Sequence, residues 1–531
     1  MRSPWRSPMR IVSADAARLP SAQPMNPVRL HTRRIFGDQL TPVLAYRRLV
    51  APDQRSAPSF LFESVDQGGA VGRYSMLGAQ PVIEIIAHGN AVVRREQTPD
   101  GVRETKSHAD DPFHCVREAA KWAGVESNGE LPPCFCGGWV GMVGFDAVRW
   151  LEPGKLPFAR APHDDRGLPD LHVALYRDVV IFDHATKVVH LVCAQLPHET
   201  RSGAAALDAL ETRLTAPMPP LASGRVDLDV HARPRDAGTS VTDRGAFEAS
   251  VRRAVEYIAA GDAFQVVLSQ RFVRSSDADP FDVYRALRVV NPSPYQVYLQ
   301  AQGCILVAAS PEILCRTRGR DVVSRPLAGT RRRGRTHDED AALARELLAD
   351  SKERAEHTML VDLARNDLGR VSDAGSVQVV RSMEIERFSH VMHISSTVTG
   401  RLRAEVDGWD ALRAALPVGT VSGAPKVRAI EIIDELEPVR RGPYAGGIGG
   451  IGWSGDVDMA IALRMMVVPV PSEADHAPPG SVRWQYHLQA GAGVVLDSDA
   501  AREWEETANK AAGLARAVDL AELAWSPRAS S

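Results

Sequence analysis

Glu503 and Glu506 stand three residues apart in a segment that reads as a helix capped by Asp499, so both fall on one face. Like charges at that spacing repel by a few tenths of a kcal/mol, a cost that a bound divalent cation reverses. Mg²⁺ takes a few carboxylates and fills its remaining places with substrate oxygens and water. Without a third acid nearby, the pair is ordinary solvated surface. Glu356 supplies a third acid. In the helix expected over Asp350 to Arg370, with Asp350 and Glu353 placed as a capping box, it precedes Leu360, Leu363 and Asp367 at spacings of four, three and four. Its carboxylate therefore stands on the apolar stripe or at its rim. A carboxylate on the stripe must be paired, protonated or bound to a cation, because leaving it ionised and dry costs several kcal/mol.

Arg464 lies in MAIALRMMVV, which reads as one strand with Ala462 and Met466 on the arginine's own face. A guanidinium among apolar side chains needs a structural acid or an anionic ligand held bidentately. In GTVSGAPKVRAIEIIDELE, Gly419, Thr420, Ser422 and Gly423 precede Pro425, which reads as the first residue of a helix. Free N–H groups and the helix dipole would meet there, as at an anion site or a plain capped start. Gly447 to Gly452 satisfies G-x-G-x-x-G, but a turn and a strand follow where a dinucleotide fold needs a helix. His390 and His393 point to opposite faces of a strand, so at most one serves any given site.

These residues need elements to hold them. Phe247, Val251, Ala254 and Ile258 mark a helix capped by Thr242 and stopped at Gly261. A strand follows, with Phe264, Val266 and Leu268 on one face and Gln265, Val267, Ser269 and Arg271 on a face polar enough to line a cleft. The Pro-, Gly- and Asp-rich tract 215–242 divides the chain. We expect an extension at 1–27, an N-terminal domain at 28–214, a linker at 215–242 and a catalytic domain at 243–520.

The 531 residues are 44% hydrophobic and 24% charged with a net charge of -3, an ordinary globular balance that argues against nucleic acid as a partner. No apolar run spans a bilayer. Six scattered cysteines lack zinc-site spacing and read as reduced buried thiols, which with the composition gives a cytoplasmic expectation. Residues 1–27 carry Asp15 as their one acid but have no apolar h-region, and read as a disordered extension.

Beyond these features, GDAFQVVLSQRF, NPSPY, SPEIL, RPLAGTRRRG, AEHTMLVDLARNDLGRV, SHVMHISS, GTVSGAPK, RRGPYAGG, IALR, QAGAGVV and ExxETANKA run in order from Gly261 to Ala512, with FLFES, GRYS and GGWVGMVGFDAVR upstream. Together they resemble the chorismate-utilising enzymes, and among them the anthranilate synthase large subunits. The resemblance implies an α+β, two-domain fold with β-sheets packed face to face and flanked by helices. It implies conversion of chorismate and ammonia into anthranilate and pyruvate with Mg²⁺ held by Glu356, Glu503 and Glu506. Gly491, Ala492 and Gly493 would hold the ring carboxylate through their backbone, and Arg464 and Tyr444 the enolpyruvyl carboxylate. Thr330 and Thr420 would contact substrate, Glu312 would protonate the departing hydroxyl, and His393 would move a proton as pyruvate leaves.

Related isochorismate and salicylate synthases carry a Lys base where Gln265 stands, and aminodeoxychorismate synthases commonly carry a nucleophilic Lys where Ala328 stands. Gln265 therefore belongs with ammonia as the nucleophile. The resemblance further implies a separate glutamine amidotransferase subunit in a heterotetramer, and tryptophan feedback through Glu63, Ser64, Pro294 and Tyr295. Two readings from other classes are weaker. A nicotinamide oxidoreductase fails on the context of Gly447, and a non-catalytic amino-acid sensor would not need the catalytic acids.

Overall fold

The computed structural model describes residues 27–525 except 65–71, 123, 198, 219–220, 227–228, 231, 389–390, 472–473, 476 and 479. Residues 1–26 of the expected extension, and His390, lie outside the described residues. The architecture is α+β, with a 13-stranded and a 12-stranded sheet among the described residues, as the resemblance implied.

Period-two alternation explains the layers. Along Cys304–Ser310, Leu306 and Ala308 enter a core that includes Ile448, Met459 and Met142 of the second sheet. Ile305, Val307 and Ala309 face the other way, into a core covered by Tyr284 and Leu287 of helix Pro280–Val290 and by Leu514 and Val518 of helix Ala500–Ala524. The first core thus lies between the sheets, and the second lies under helices on the far side of the 13-stranded sheet.

Both sheets draw strands from both sequence halves. Ser59–Glu63 pairs with Tyr295–Ala301, and Gly138–Val143 pairs with Gly447–Gly452. The glycine run is therefore strand, as its context required. Gly141 faces Gly449 across that pairing, and a Cβ on Gly141 would lie only 2.0 Å from the His172 carbonyl oxygen. Tract 215–242 is fastened to the C-terminal helix: the Arg235 amide donates to Asp519 at 2.8 Å, and Arg516 Nε donates to the Asp229 carbonyl at 3.0 Å.

Several local expectations change. Asp243, not Thr242, caps helix Arg244–Ala259, because its carboxylate accepts from the Ala246 amide. Asp350 caps helix Ser351–Gly369, but Glu353 leaves the capping box to pair with Arg331 at 3.1 Å. Phe264 is exposed and precedes strand Gln265–Ser276 rather than beginning its buried face. Pro425 is the N-cap of helix Lys426–Leu436 and not its first residue. Before it, Val421 N and Ser422 N donate to Val418 O and Gly419 O, and the Ala424 and Ser422 carbonyls accept from Phe264 N and Val267 N. MAIALRMMVV is two strands, Val457–Ile461 and Met465–Pro469, belonging to different sheets.

Candidate active site

At two neighbouring points the chain passes between sheets. Cys304–Ser310 in the 13-stranded sheet leads through Pro311 and Glu312 into Ile313–Arg318 in the 12-stranded one, and Ala462 to Arg464 make the return crossing. The crossings are tied together: Ser310 Oγ donates to Ile461 O at 2.7 Å, Ile461 N to Glu312 O at 3.0 Å, and Ala309 N to Arg464 O at 3.0 Å. Arg464 adopts a left-handed φ of 46°, a strained state for a non-glycine residue that the crossing imposes.

Burial pushes the Glu312 carboxyl up to about 8, partly offset by the Leu327 amide and the Thr420 hydroxyl. Thr420 Oγ1 is buried near that carboxyl without a hydrogen bond of normal geometry. Glu312 is thus a protonated acid at neutral pH. Burial lowers Arg464, while Tyr444 and Glu506 act the other way. Among the described residues no hydrogen bond or ion pair engages its guanidinium. A desolvated cation facing a tyrosine hydroxyl is arranged for an anionic ligand.

The cleft wall comes from strands Gln265–Ser276 and Trp484–Val494, with Val267 opposite Gly493 and Ser269 opposite Gly491. Gln265 is buried, and its Nε2 donates to Glu356 Oε1 at 3.4 Å. A Cβ on Gly493 would come within 2.5 Å of Gln265 Nε2, and one on Gly491 within 3.1 Å of Tyr444 Oη, so glycine at both positions leaves space for polar side chains. Ala492 pairs with Leu268 and sends its side chain to the opposite face, leaving its backbone to the cleft side. Burial pushes Tyr444 up to about 12, and the Gly491 amide works against that rise.

Glu356, Glu503 and Glu506 share this region. Burial raises Glu356, as do the charges of Glu353 and Glu506, while Gln265 lowers it. Burial also raises Glu503, again with Glu506 contributing. Glu506 therefore lies within electrostatic reach of both other acids. The three are not drawn into a closed ligand set: no group of three such side chains spaced to hold a metal occurs among the described residues. Glu356 and Glu503 are half-buried and Glu506 is exposed, and their mutually repelling oxygen donors are of the kind a hard divalent cation takes. Lys510, the lysine of ExxETANKA, joins the cluster. It pairs with Glu506 at 2.7 Å and donates to the Gly491 carbonyl at 2.9 Å. Its place one turn after Glu506 was the available signal.

His393 Nδ1 lies 2.9 Å from the Gly329 carbonyl and 3.0 Å from Thr330 Oγ1. A carbonyl only accepts, so Nδ1 carries the proton and Nε2 keeps its lone pair. Burial pulls this imidazole down to about 4, with Arg464 and Lys510 also disfavouring its charge. His393 is thus a neutral base facing the same cations. Electrostatic reach thus links His393, Arg464, Tyr444, Glu506 and Lys510, with Glu356 and Gln265 joined to them through Glu506, while Glu312 contacts Leu327 and Thr420.

Glu63, Ser64, Pro294 and Tyr295 form a separate group, brought together by the pairing of Glu63 with Gln296. The Glu63 carboxylate accepts from Tyr284 Oη at 2.6 Å and pairs with Arg288 at 2.8 Å. Tyr295 Oη donates to Asp458 at 2.9 Å and accepts from Arg316 at 2.7 Å.

The pattern of the chorismate binding enzyme family matches residues 57–516. The chloroplastic anthranilate synthase alpha subunit 1 of Oryza sativa subsp. indica is 53% identical over 506 residues, covering 92% of this chain and 87% of that one. Anthranilate synthase component 1 of Thermus thermophilus is 43% identical, covering 94% and 99%. Among solved structures, anthranilate synthase component I from Streptococcus pneumoniae superposes with a TM-score of 0.70 at 37% identity, covering 91% of this chain and 99% of that one. The menaquinone-specific isochorismate synthase of Escherichia coli, at a TM-score of 0.64 and 19% identity over 93% and 96% of the two chains, shares the fold.

Proposed function

The chain belongs to the chorismate-binding enzymes, among the anthranilate synthase large subunits, and from that membership we propose how its own residues carry out the reaction. The activity is conversion of chorismate and ammonia to anthranilate and pyruvate. The observation that carries the residue assignment is the pair of hydrogen-bonded sheet crossings, one bearing a protonated acid, Glu312, and the other an unpaired cation, Arg464. Arg464 and the Tyr444 hydroxyl take the enolpyruvyl carboxylate. The Gly491 to Gly493 backbone lies along the ring carboxylate, and Thr330 and Thr420 position the ring. Ammonia attacks C2 while Glu312 gives its proton to the C4 hydroxyl, which leaves as water. Gln265 cannot deprotonate water and so does not favour the competing hydroxylation.

Glu356, Glu503 and Glu506 would hold Mg²⁺, which when bound supplies a positive charge to the ring carboxylate. Lys510 offsets the charge of the same carboxylates from the Glu506 side. His393 Nε2 then accepts the proton released as pyruvate is eliminated. Ammonia must arrive unprotonated, which supports delivery by a glutamine amidotransferase subunit in a heterotetramer. The Glu63, Ser64, Pro294 and Tyr295 group supports tryptophan feedback inhibition. No helix among the described residues is long and apolar enough to cross a membrane. Six free cysteines favour the cytoplasm, although the rice relative is named chloroplastic.

Purified chain given chorismate, ammonium and Mg²⁺ should develop anthranilate fluorescence; consumption of chorismate to a hydroxylated product instead would overturn the assignment. His393→Ala should slow anthranilate and pyruvate release by roughly 10²–10⁴-fold while the aminated intermediate accumulates. Chromatography of the products checks this, and equal loss of intermediate and anthranilate would remove His393 from the elimination step.

A further inference from the structure

The sheet face that carries Gln265 continues away from the cleft. Ser269 and Arg271 follow it at period two, opposite Gly491 and Gln489, with His487 next along the partner strand. Gln489 Nε2 donates to Ser269 Oγ at 3.0 Å, so a polar row runs from the cleft to Arg271. At its outer end two guanidiniums flank one carboxylate: Arg271 Nη2 donates to Asp165, and Arg166 Nε lies 4.0 Å from the same group. The Arg271 and Arg166 side chains are only 3% and 6% exposed. Arg166 Nη2 donates to the carbonyls of Arg440 and Arg441, at 3.4 and 2.8 Å.

These bonds leave much unsatisfied. Arg271 Nε and Nη1, Arg166 Nη1 and His487 Nδ1 are all buried with no hydrogen-bond partner, as is Gln489 Oε1. Guanidinium N–H groups only donate, and a buried donor without an acceptor is destabilising. Charge points the same way. Asp165 lies against both guanidiniums and the charge of Asp164 also acts on Arg166, while the neighbouring Arg440 lies 3.8 Å from both Asp164 and Asp170. Burial and the charge of Arg271 together lower Arg166 to about 10, and burial with both arginines lowers His487 to about 3, so the imidazole is neutral. Burial pushes the Asp170 carboxyl up to about 7, so below that pH Arg166, Arg271 and Arg440 face only the charges of Asp164 and Asp165, and one positive charge is left over. Water would accept from the free N–H groups but leave that charge unbalanced, whereas a single monovalent anion does both.

We propose that the interior beside Arg166, Arg271 and His487 binds a small monovalent inorganic anion of the halide class. The site pins the Asp165–Arg166 segment, from the upstream half, against two strands of the downstream half. It is separate from the substrate carboxylates, which meet Arg464 and the Gly491 strand. An amide flip of Gln489 would turn its NH₂ toward the site as a further donor, with Ser269 Oγ then donating to Gln489 Oε1.

Bromide is the probe. Crystals of the full chain grown in sodium bromide should show an anomalous peak within hydrogen-bonding distance of Arg166 and Arg271. Bromide should also raise the melting temperature by roughly 2–5 °C over gluconate at equal ionic strength, saturably, and should fail to do so in Arg166→Gln. Ordered water with no anomalous signal at the cluster overturns the proposal. So does bromide found only at scattered surface positions, an adventitious ion only, or an equal melting shift in the variant. The wild-type crystal decides the matter even if Arg166→Gln does not fold.

Discussion

Glu312→Gln lowers kcat by roughly 10²–10⁴-fold and moves the KM for chorismate by no more than a few-fold. The amide matches the carboxyl in size and can keep the neighbouring Leu327 and Thr420 contacts, but it has no proton to give to a departing hydroxyl. A second signature separates this role from a packing role. The Glu312 carboxyl is held near 8 by burial, so in the wild type it remains protonated from the ordinary carboxylate range up to about pH 8. The free enzyme should therefore lose kcat/KM as pH rises through about 8. Chorismate brings further negative charge, which disfavours the carboxylate, so the corresponding limb in kcat should lie at higher pH. Glu312→Gln should lose both limbs along with the rate. Profiles of kcat and kcat/KM between pH 6 and roughly 10 make the test, and an alkaline limb that survives the substitution assigns the proton to another group.

Arg464→Met raises the KM for chorismate by on the order of 10²-fold or more, because a buried charge-assisted contact to a carboxylate contributes roughly 2–5 kcal/mol. The same change should leave the thermal midpoint of the free enzyme unchanged or higher. In the free enzyme the guanidinium is desolvated with no acid bonded to it, and the left-handed φ of 46° disfavours both side chains alike. Replacing an unpaired buried cation by a flexible apolar chain removes an electrostatic penalty. A structural arginine would behave in the opposite way, with an intact KM and a midpoint several degrees lower. Steady-state kinetics and a thermal melt on one preparation distinguish the two.

Local pattern revealed what local forces determine. Asp350 and Asp499 cap the helices that carry Glu356, Glu503 and Glu506, because side-chain capping is a matter of a few adjacent residues. Alternation placed Gln265 on the cleft face, and the turn after Gly452 was enough to reject a dinucleotide site. Tertiary consequences were hidden. Arg464 read as mid-strand because MAIALRMMVV has unbroken β propensity, yet the chain leaves one sheet and enters the other at that arginine. Gly423 and Ala424 resembled the approach to a helix and instead hydrogen-bond to Gln265 and Val266, a contact some 160 residues away in sequence that propensity cannot register. Lys510 looked like a solvated charge until Gly491 and Glu506 met it. Nor did any local feature announce that each sheet would join the two halves of the chain at one seam between strands.

Those seams have a bearing on how the protein is made. When Val143 has left the ribosome, the strand that will cover the open edge of Gly138–Val143, Gly447–Gly452, is still roughly 300 residues from synthesis. At about 5–20 residues per second the gap lasts on the order of 15–60 s. Ser59–Glu63 waits likewise for Tyr295–Ala301. Through that interval the nascent chain exposes apolar strand edges suited to pairing with any other extended segment, including another nascent copy. Chaperone occupancy on ribosome-bound chains should accordingly persist until the Gly447–Gly452 strand emerges, and yield on overexpression should depend on translation speed across the second half more than across the first.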